Sequence, residues 1–186
     1  IFTILILAYS IFSTIKYNDR YNIKRHFHEL TNTNLQNAIK ISLFDKKLNG
    51  LKWITPHFDE PKEELRNIEE TFNLISLDKK NKMLITDYNF YSSLTEQKLH
   101  SPSRTYDNIS YPEKDNKFYI DYKNFFIKKL KMNNIENIYV FETKKIDKLR
   151  LNHLIFNYVP QNCFSAESIN AYTAKLKIIK CNELDG

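Results

Sequence analysis

Three consecutive apolar residues, Met83, Leu84 and Ile85, stand between the polar stretch Asp78-Lys79-Lys80-Asn81 and the acid Asp87. An unbroken apolar run bounded by turn residues fits a strand covered on both faces, so residues 82–86 are predicted as the buried central strand of a sheet. Leu51-Lys52-Trp53-Ile54-Thr55, stopped by Pro56, predicts an earlier strand, and Ile138-Tyr139-Val140-Phe141 a later one. Between the first two strands Leu65, Ile68, Phe72 and Ile75 recur at helical spacing, after Asp59 as N-cap and Pro61, Glu63 and Glu64 in the first turn. Strand, helix and strand in succession predict a βαβ unit with parallel pairing.

A second helix is predicted over residues 118–132, with Tyr119, Tyr122, Phe126 and Leu130 on one face and Asn133-Asn134 at its end. An earlier one is predicted over residues 31–48, where Leu35, Ala38, Ile39 and Leu43 recur after Thr31 or Thr33 and Gly50 is the stop. A short helix is expected over residues 146–154, with Pro160 as a break after it. Residues 172–180 differ in rhythm: Tyr172, Ala174, Leu176 and Ile178 alternate with Thr173, Lys175 and Lys177. That period of two predicts an antiparallel strand with one wet face, at an edge guarded by lysines. The sum is an α/β fold, a three-layer sandwich with a mostly parallel sheet and one antiparallel edge strand.

Residues 1–15 (IFTILILAYSIFSTI) carry no charge. They are read as the end of a transmembrane helix, with a signal-peptide core or a buried helix as the alternatives. This divides the chain into residues 1–16, the end of a membrane span, and residues 17–186, an extramembrane α/β domain. Lys16, Arg20, Lys24 and Arg25 come next, and the positive-inside rule taken alone would place the domain in the cytoplasm, though the rule weakens for long domains.

Composition changes the picture mainly by exclusion. The net charge of +6 comes mostly from Lys scattered among Asn, Ile, Tyr and Phe, residues of A/T-rich codons, and no Arg-rich stretch accompanies it, so no nucleic-acid partner is assigned. With two glycines, Gly50 and Gly186, neither a P-loop nor a dinucleotide fingerprint can be built, and no cofactor is expected. The five histidines form no HExxH and the two cysteines no CxxC, so no metal site is assigned. Cys163 and Cys181 bracket the last strand. A bridge there would stabilise by about 3 kcal/mol in an oxidising compartment, with two buried thiols as the alternative; scarce cysteine placed twice at one end favours the bridge and a domain outside the cytoplasm.

Ligands of open α/β sheets gather beyond the carboxyl ends of the strands, here Thr55-Pro56-His57, Asp87-Tyr88 and Phe141-Glu142-Thr143. The long excursion after Tyr88 adds Tyr91, His100, Ser101, Arg104, Tyr106, Asp107 and Tyr111. An Arg among tyrosines suits a carboxylate, phosphate or sugar, so Asp87, Tyr88, Arg104, Tyr106 and His57 form the candidate binding set. Arg104 could instead pair with Asp87 or Asp107 to pin the loop. No nucleophile or metal motif completes a catalytic constellation.

The runs Asp45-Lys46-Lys47-Leu48-Asn49-Gly50-Leu51-Lys52-Trp53-Ile54-Thr55-Pro56, Met83-Leu84-Ile85-Thr86-Asp87-Tyr88 and Ser101-Pro102-Ser103-Arg104-Thr105-Tyr106 resemble the C-terminal soluble region of poorly characterised multi-spanning bacterial membrane proteins. Those proteins are similar to glycosyltransferases of the GT-C architecture, which use lipid-linked sugars. The resemblance implies an accessory role: capping a membrane-embedded site, or binding a glycan acceptor or the lipid-linked sugar. It implies as partners the lipid bilayer of a bacterial inner membrane and that sugar or acceptor, while the bridge expected between Cys163 and Cys181 puts the domain on the periplasmic side. No catalytic residue of the family maps onto this chain. A membrane-anchored binding or structural domain, and a self-contained α/β enzyme, are the competing expectations.

Overall fold

The computed structural model describes residues 2–19, 30, 33–95, 97–103, 111–179, 181 and 184. The chain divides into two compact units, Ile1–Glu63 and Glu64–Gly186.

In the first unit, helix α1 (Phe2–Asn18) has no acid in its first turn, Lys16 in its last and no buried residue. It covers seventeen residues, and among the described residues no helix is long and apolar enough to cross a membrane. The helix expected over residues 31–48 is not there. The described part of that stretch is broken into 3₁₀ turns at Leu35–Asn37, Ile41–Leu43 and Lys46–Leu48, with a two-residue strand β1 (Ile39–Lys40) between the first two. Local side chains compete with the helix ladder: Asn34 Oδ1 accepts from the Gln36 N–H at 3.1 Å and Asp45 Oδ1 from the Lys47 N–H at 2.8 Å. Strand β2 (Lys52–Trp53) pairs antiparallel with β1, Trp53 opposite Ile39. The Trp53 strand therefore belongs to a separate two-stranded sheet and not beside Leu84, which corrects the expected first βαβ unit.

Helix α2 (Pro61–Leu77) opens on its proline, where the missing N–H costs nothing. The second unit is a mixed α/β fold around a four-stranded mixed sheet in the order β3–β4–β6–β5. Strand β3 (Lys82–Thr86) pairs in parallel with β4 (Asn137–Phe141), Leu84 opposite Tyr139; a short α3 (Tyr91–Leu94) and α4 (Tyr119–Met132) lie between them in sequence. A four-residue α5 (Lys148–Leu151) runs into a π-helical turn at Asn152–Phe156. Strands β5 (Phe164–Asn170) and β6 (Thr173–Ile178) form a hairpin, and β6 pairs antiparallel with β4.

Three expectations about the sheet are thus corrected. One of its three pairings is parallel, so the sheet is not mostly parallel. The alternating strand lies inside, because β5 covers it and takes the edge; Phe164-Ser165-Ala166-Glu167-Ser168 is mostly exposed and carries no apolar alternation to announce a strand. Finally, β3 is at the other edge and not at the centre. All five of its residues are nevertheless buried, and the chain returning at Leu99 covers the flank, the Leu84 N–H donating to the Leu99 carbonyl at 2.9 Å. Burial on both faces, which the apolar run encodes, is separate from position in the sheet.

One sheet face carries Met83, Ile85, Ile138, Val140 and Leu176, packed with Phe126 and Leu130 of α4 and with Leu154, Ile155, Tyr158 and Val159. Helix α4 keeps the predicted face and ends in a paired-bond cap. The Ile135 N–H reaches the Leu130 carbonyl and the Asn134 N–H the Lys131 carbonyl, both at 3.0 Å, while Asn134 takes φ +46°, a left-handed turn that Asn tolerates. The β5–β6 hairpin is closed at its open end by the bonded Cys163 and Cys181 sulfurs, 2.03 Å apart, and by the Ile179 N–H on the Cys163 carbonyl.

The opposite face carries the polar groups. The buried Thr71 and Thr173 hydroxyls share a 2.7 Å hydrogen bond between α2 and β6. Lys82 is 2 % exposed, and its ammonium caps the C-terminal end of α2, donating to the Ile75 carbonyl at 3.1 Å, to the Asp78 carbonyl and to Gln97 Oε1. Burial lowers its pKa, against the attraction of Asp78. Asp78 Oδ2 accepts from Asn137 Nδ2 at 2.6 Å and Tyr139 Oη at 2.7 Å, with Lys175 Nζ at 3.7 Å. Burial pushes the Asp78 carboxyl up, but the Lys80 N–H, these two donors and Lys175 together hold it below the usual carboxylate range. A depressed carboxylate pKa contributes stability at neutral pH that is lost as pH falls through the folded-state value. Asp78→Asn is therefore expected to cost about 1–3 kcal/mol at pH 7, with the gap to the parent closing below about pH 4. Urea unfolding across that range measures it, and a gap independent of pH would assign Asp78 no charged role.

Candidate functional site

At the carboxyl ends of β3 and β4 the chain places two acids, and each is committed to a neighbour. The Asp87 carboxylate accepts from the Thr143 hydroxyl at 2.7 Å, and both of its oxygens lie 3.2 Å from the Thr143 backbone N–H. Glu142, 2 % exposed, accepts a two-pronged bond from Arg150 Nε and Nη2, each at 2.6 Å. The Glu142 hydrogen bond raises the Arg150 pKa against the effect of burial. Arg150 also lies 5.7 Å from the Tyr111 ring centre, and Asp147, at the head of α5, accepts from its backbone N–H at 2.7 Å.

The aromatic residues after β3 are pinned inward. The Tyr88 ring stacks on Phe141 at 4.6 Å, and its hydroxyl donates to Glu64 Oε1 at 2.8 Å. Tyr91, fully buried, donates to the Ile68 carbonyl at 2.6 Å and meets Phe141 edge to face. Burial raises both phenol pKa values far above the ordinary one, with the Glu64 charge adding to the effect at Tyr88. These rings are wall and floor, and neither hydroxyl is a proton donor for a ligand.

A cleft of about 560 Å³ lies between the end of β3 and the returning segment 99–103. Leu84, Tyr88, Tyr91 and Leu99 make its apolar floor, and Thr86, Asn89, Ser92, His100, Ser101 and Ser103 its polar rim. His100 takes φ +44°, a left-handed conformation that side chains rarely adopt. Hydroxyls and an amide over a hydrophobic floor suit a polyol. Among the described residues no three His, Cys, Asp or Glu side chains are grouped to hold a metal.

Of the five residues in the candidate binding set, Asp87 and Tyr88 lie at the expected strand end. Asp87 latches β3 to β4 and Tyr88 lines the cleft. Arg104 and Tyr106, with Asp107, lie outside the described residues. His57 belongs to the first unit, where its side chain is exposed and its N–H donates to Thr55 Oγ1 at 3.4 Å. Sequence reasoning placed Glu64 in the first turn of the helix and missed that it is fully buried. The signal was its spacing: Glu64, Ile68, Thr71 and Ile75 recur at four, three and four, on one helix face. It also missed the Glu142–Arg150 pair, because nothing in the sequence marks residue 150 as facing the end of β4.

The chain matches no protein-family model, no curated protein and no solved structure.

Removing the Tyr88 hydroxyl while keeping its ring isolates the Glu64 bond. Tyr88→Phe is expected to lower stability by about 1–3 kcal/mol, the cost of depriving a buried carboxylate of a donor. Thermal or urea unfolding reads it, and an unchanged stability would show that Glu64 does not depend on Tyr88.

Proposed function

We propose that this chain is the C-terminal extramembrane part of an integral membrane protein of the glycosyltransferase-like kind, handling lipid-linked sugars, and that the domain binds and does not catalyse. The observation that carries the reading is the make-up of the cleft beside β3. Its rim of Asn89, Ser92 and Ser101 offers hydrogen-bond partners for sugar hydroxyls, while Glu64 and Asp87, the acids bonded at this end of β3 among the described residues, are engaged by Tyr88 and Thr143. Such a site can hold and orient a glycan, and among the described residues it has no acid–base pair at hand. The reaction itself belongs, in this reading, to membrane-embedded parts of the protein.

The attachment to a bacterial inner membrane rests on α1, whose Phe2, Ile4, Leu5 and Tyr9 are among its most exposed side chains in a helix without a buried residue. The periplasmic placement rests on the Cys163–Cys181 bridge, since such bonds persist in oxidising compartments. Helices whose residues pack on both sheet faces, α2 through Thr71 and α4 through Phe126, support the three-layer arrangement expected from the sequence.

A binding or structural domain without any role in sugar transfer is the second reading, favoured by the same commitment of Asp87 and Tyr88 to internal bonds. The two part in the intact membrane protein. Ser92→Leu with Ser101→Leu, filling the cleft rim, is expected to reduce transfer from a lipid-linked sugar by roughly tenfold or more, equivalent to at least about 1.4 kcal/mol, while the isolated 186-residue chain turns nothing over. Undiminished transfer in the filled variant would leave the structural reading standing, and turnover by the isolated chain would overturn both.

A further inference from the structure

We propose a phosphate-binding site in the basic cleft formed by Lys79, Lys98 and His100 at the opposite, amino-terminal side of β3. The cleft has a volume of about 350 Å³ and is lined by Lys79, Lys80, Asn81, Lys82, Gln97, Lys98 and His100. Four lysines line it, one of them paired with Glu136, and they leave the cleft with a net positive charge. Two carboxylates stand close to it and offset part of that charge. Asp78 Oδ2 faces Asn137 and Tyr139, and Glu136 pairs with Lys80 at 3.4 Å. Lys82 is fixed at the floor by three oxygen acceptors, so its charge is positioned without needing a ligand to hold it. Lys79 and Lys98 are exposed and can close on an anion from the rim.

Two further observations point the same way. His100 is held at φ +44° and lines both this cleft and the polyol-type cleft beside β3, so an anionic group here would sit next to whatever fills the other. Burial is the main cause that depresses the His100 pKa, the charges of Lys98 and Lys129 add to it, and a hydrogen bond with Asn133 opposes it. A compact anion of high charge density suits lysine donors, which act as point charges, more than a planar carboxylate suits them. The site is defined by the charge and shape of this cleft alone and does not depend on sugar binding in the neighbouring one.

The test is titration of the 186-residue chain with inorganic pyrophosphate at constant ionic strength, monitored by amide chemical shifts. Saturable shifts confined to residues 79–82 and 97–100 are expected, with affinity weakened roughly tenfold or more in Lys79→Ala/Lys98→Ala and retained in Lys79→Arg/Lys98→Arg. Circular dichroism confirms that both variants fold. Vesicles of phosphatidylcholine with and without phosphatidylglycerol then separate the sources of the phosphate. A loss of anionic-vesicle retention in the double alanine variant assigns a lipid headgroup, and equal retention with lost pyrophosphate binding assigns a soluble phosphate ester. Shifts that do not saturate, or an alanine variant that binds pyrophosphate as the parent does, would overturn the site.

Discussion

The second unit depends on holding one parallel strand pair in register. Parallel ladders are weaker per residue than antiparallel ones and join segments far apart in sequence, and here β3 is also an edge strand. Two aspartates flank it and reach across to its partner. Asp78 takes hydrogen bonds from Asn137 and Tyr139 at one end, and Asp87 takes them from Thr143 at the other. A slip of one residue would exchange the Met83 and Ile85 face, which packs with α4, for the polar face that carries Lys82 and Thr86. The two carboxylates oppose that slip from both ends, and the Leu99 carbonyl on the Leu84 N–H occupies part of the edge that would otherwise invite another strand.

This arrangement also builds the clefts. The segment that covers the β3 edge runs from Gln97 to Ser103; its rim residues face the polyol-type cleft on one side and the lysine cleft on the other, with His100 common to both. The left-handed backbone at His100 marks the place where this covering segment turns. Asp87 and Tyr88, which chemistry alone would nominate as a base and a platform, are the parts that hold the wall of the cleft in place.

Much of this was readable from residue spacing. Helices α2 and α4 and strand β4 are evident from their apolar periods, since each buries a regular face. The end of α4 is marked by Asn133-Asn134, whose second residue adopts the left-handed turn. Position within the sheet was not readable, because Met83-Leu84-Ile85 records burial on both faces and says nothing of which neighbour provides it. Strand β5 was invisible for a related reason: Ser165, Glu167 and Ser168 are exposed, so hydrogen bonding to β6 defines the strand and hydrophobicity does not. The stretch 31–48 misled because four apolar residues fell at helical spacing while Asn34 and Asp45 supplied stronger local turns. At the site, Asp87 and Tyr88 were legible from their place after a strand, whereas the lysine cleft draws Lys79 and Lys98 together only through the return of the chain along β3.

The register clamp is tested most directly by native-state hydrogen exchange in Asp87→Ala, with the amides of β3 compared against those of β6 in the same molecule. Loss of the Thr143 bonds is expected to speed exchange along Lys82–Thr86 by roughly 10- to 100-fold, equivalent to about 1–3 kcal/mol of local opening, while the Thr173–Ile178 amides change much less. Equal protection of β3 in the variant and the parent would contradict the account, because the edge strand would then be held by packing alone.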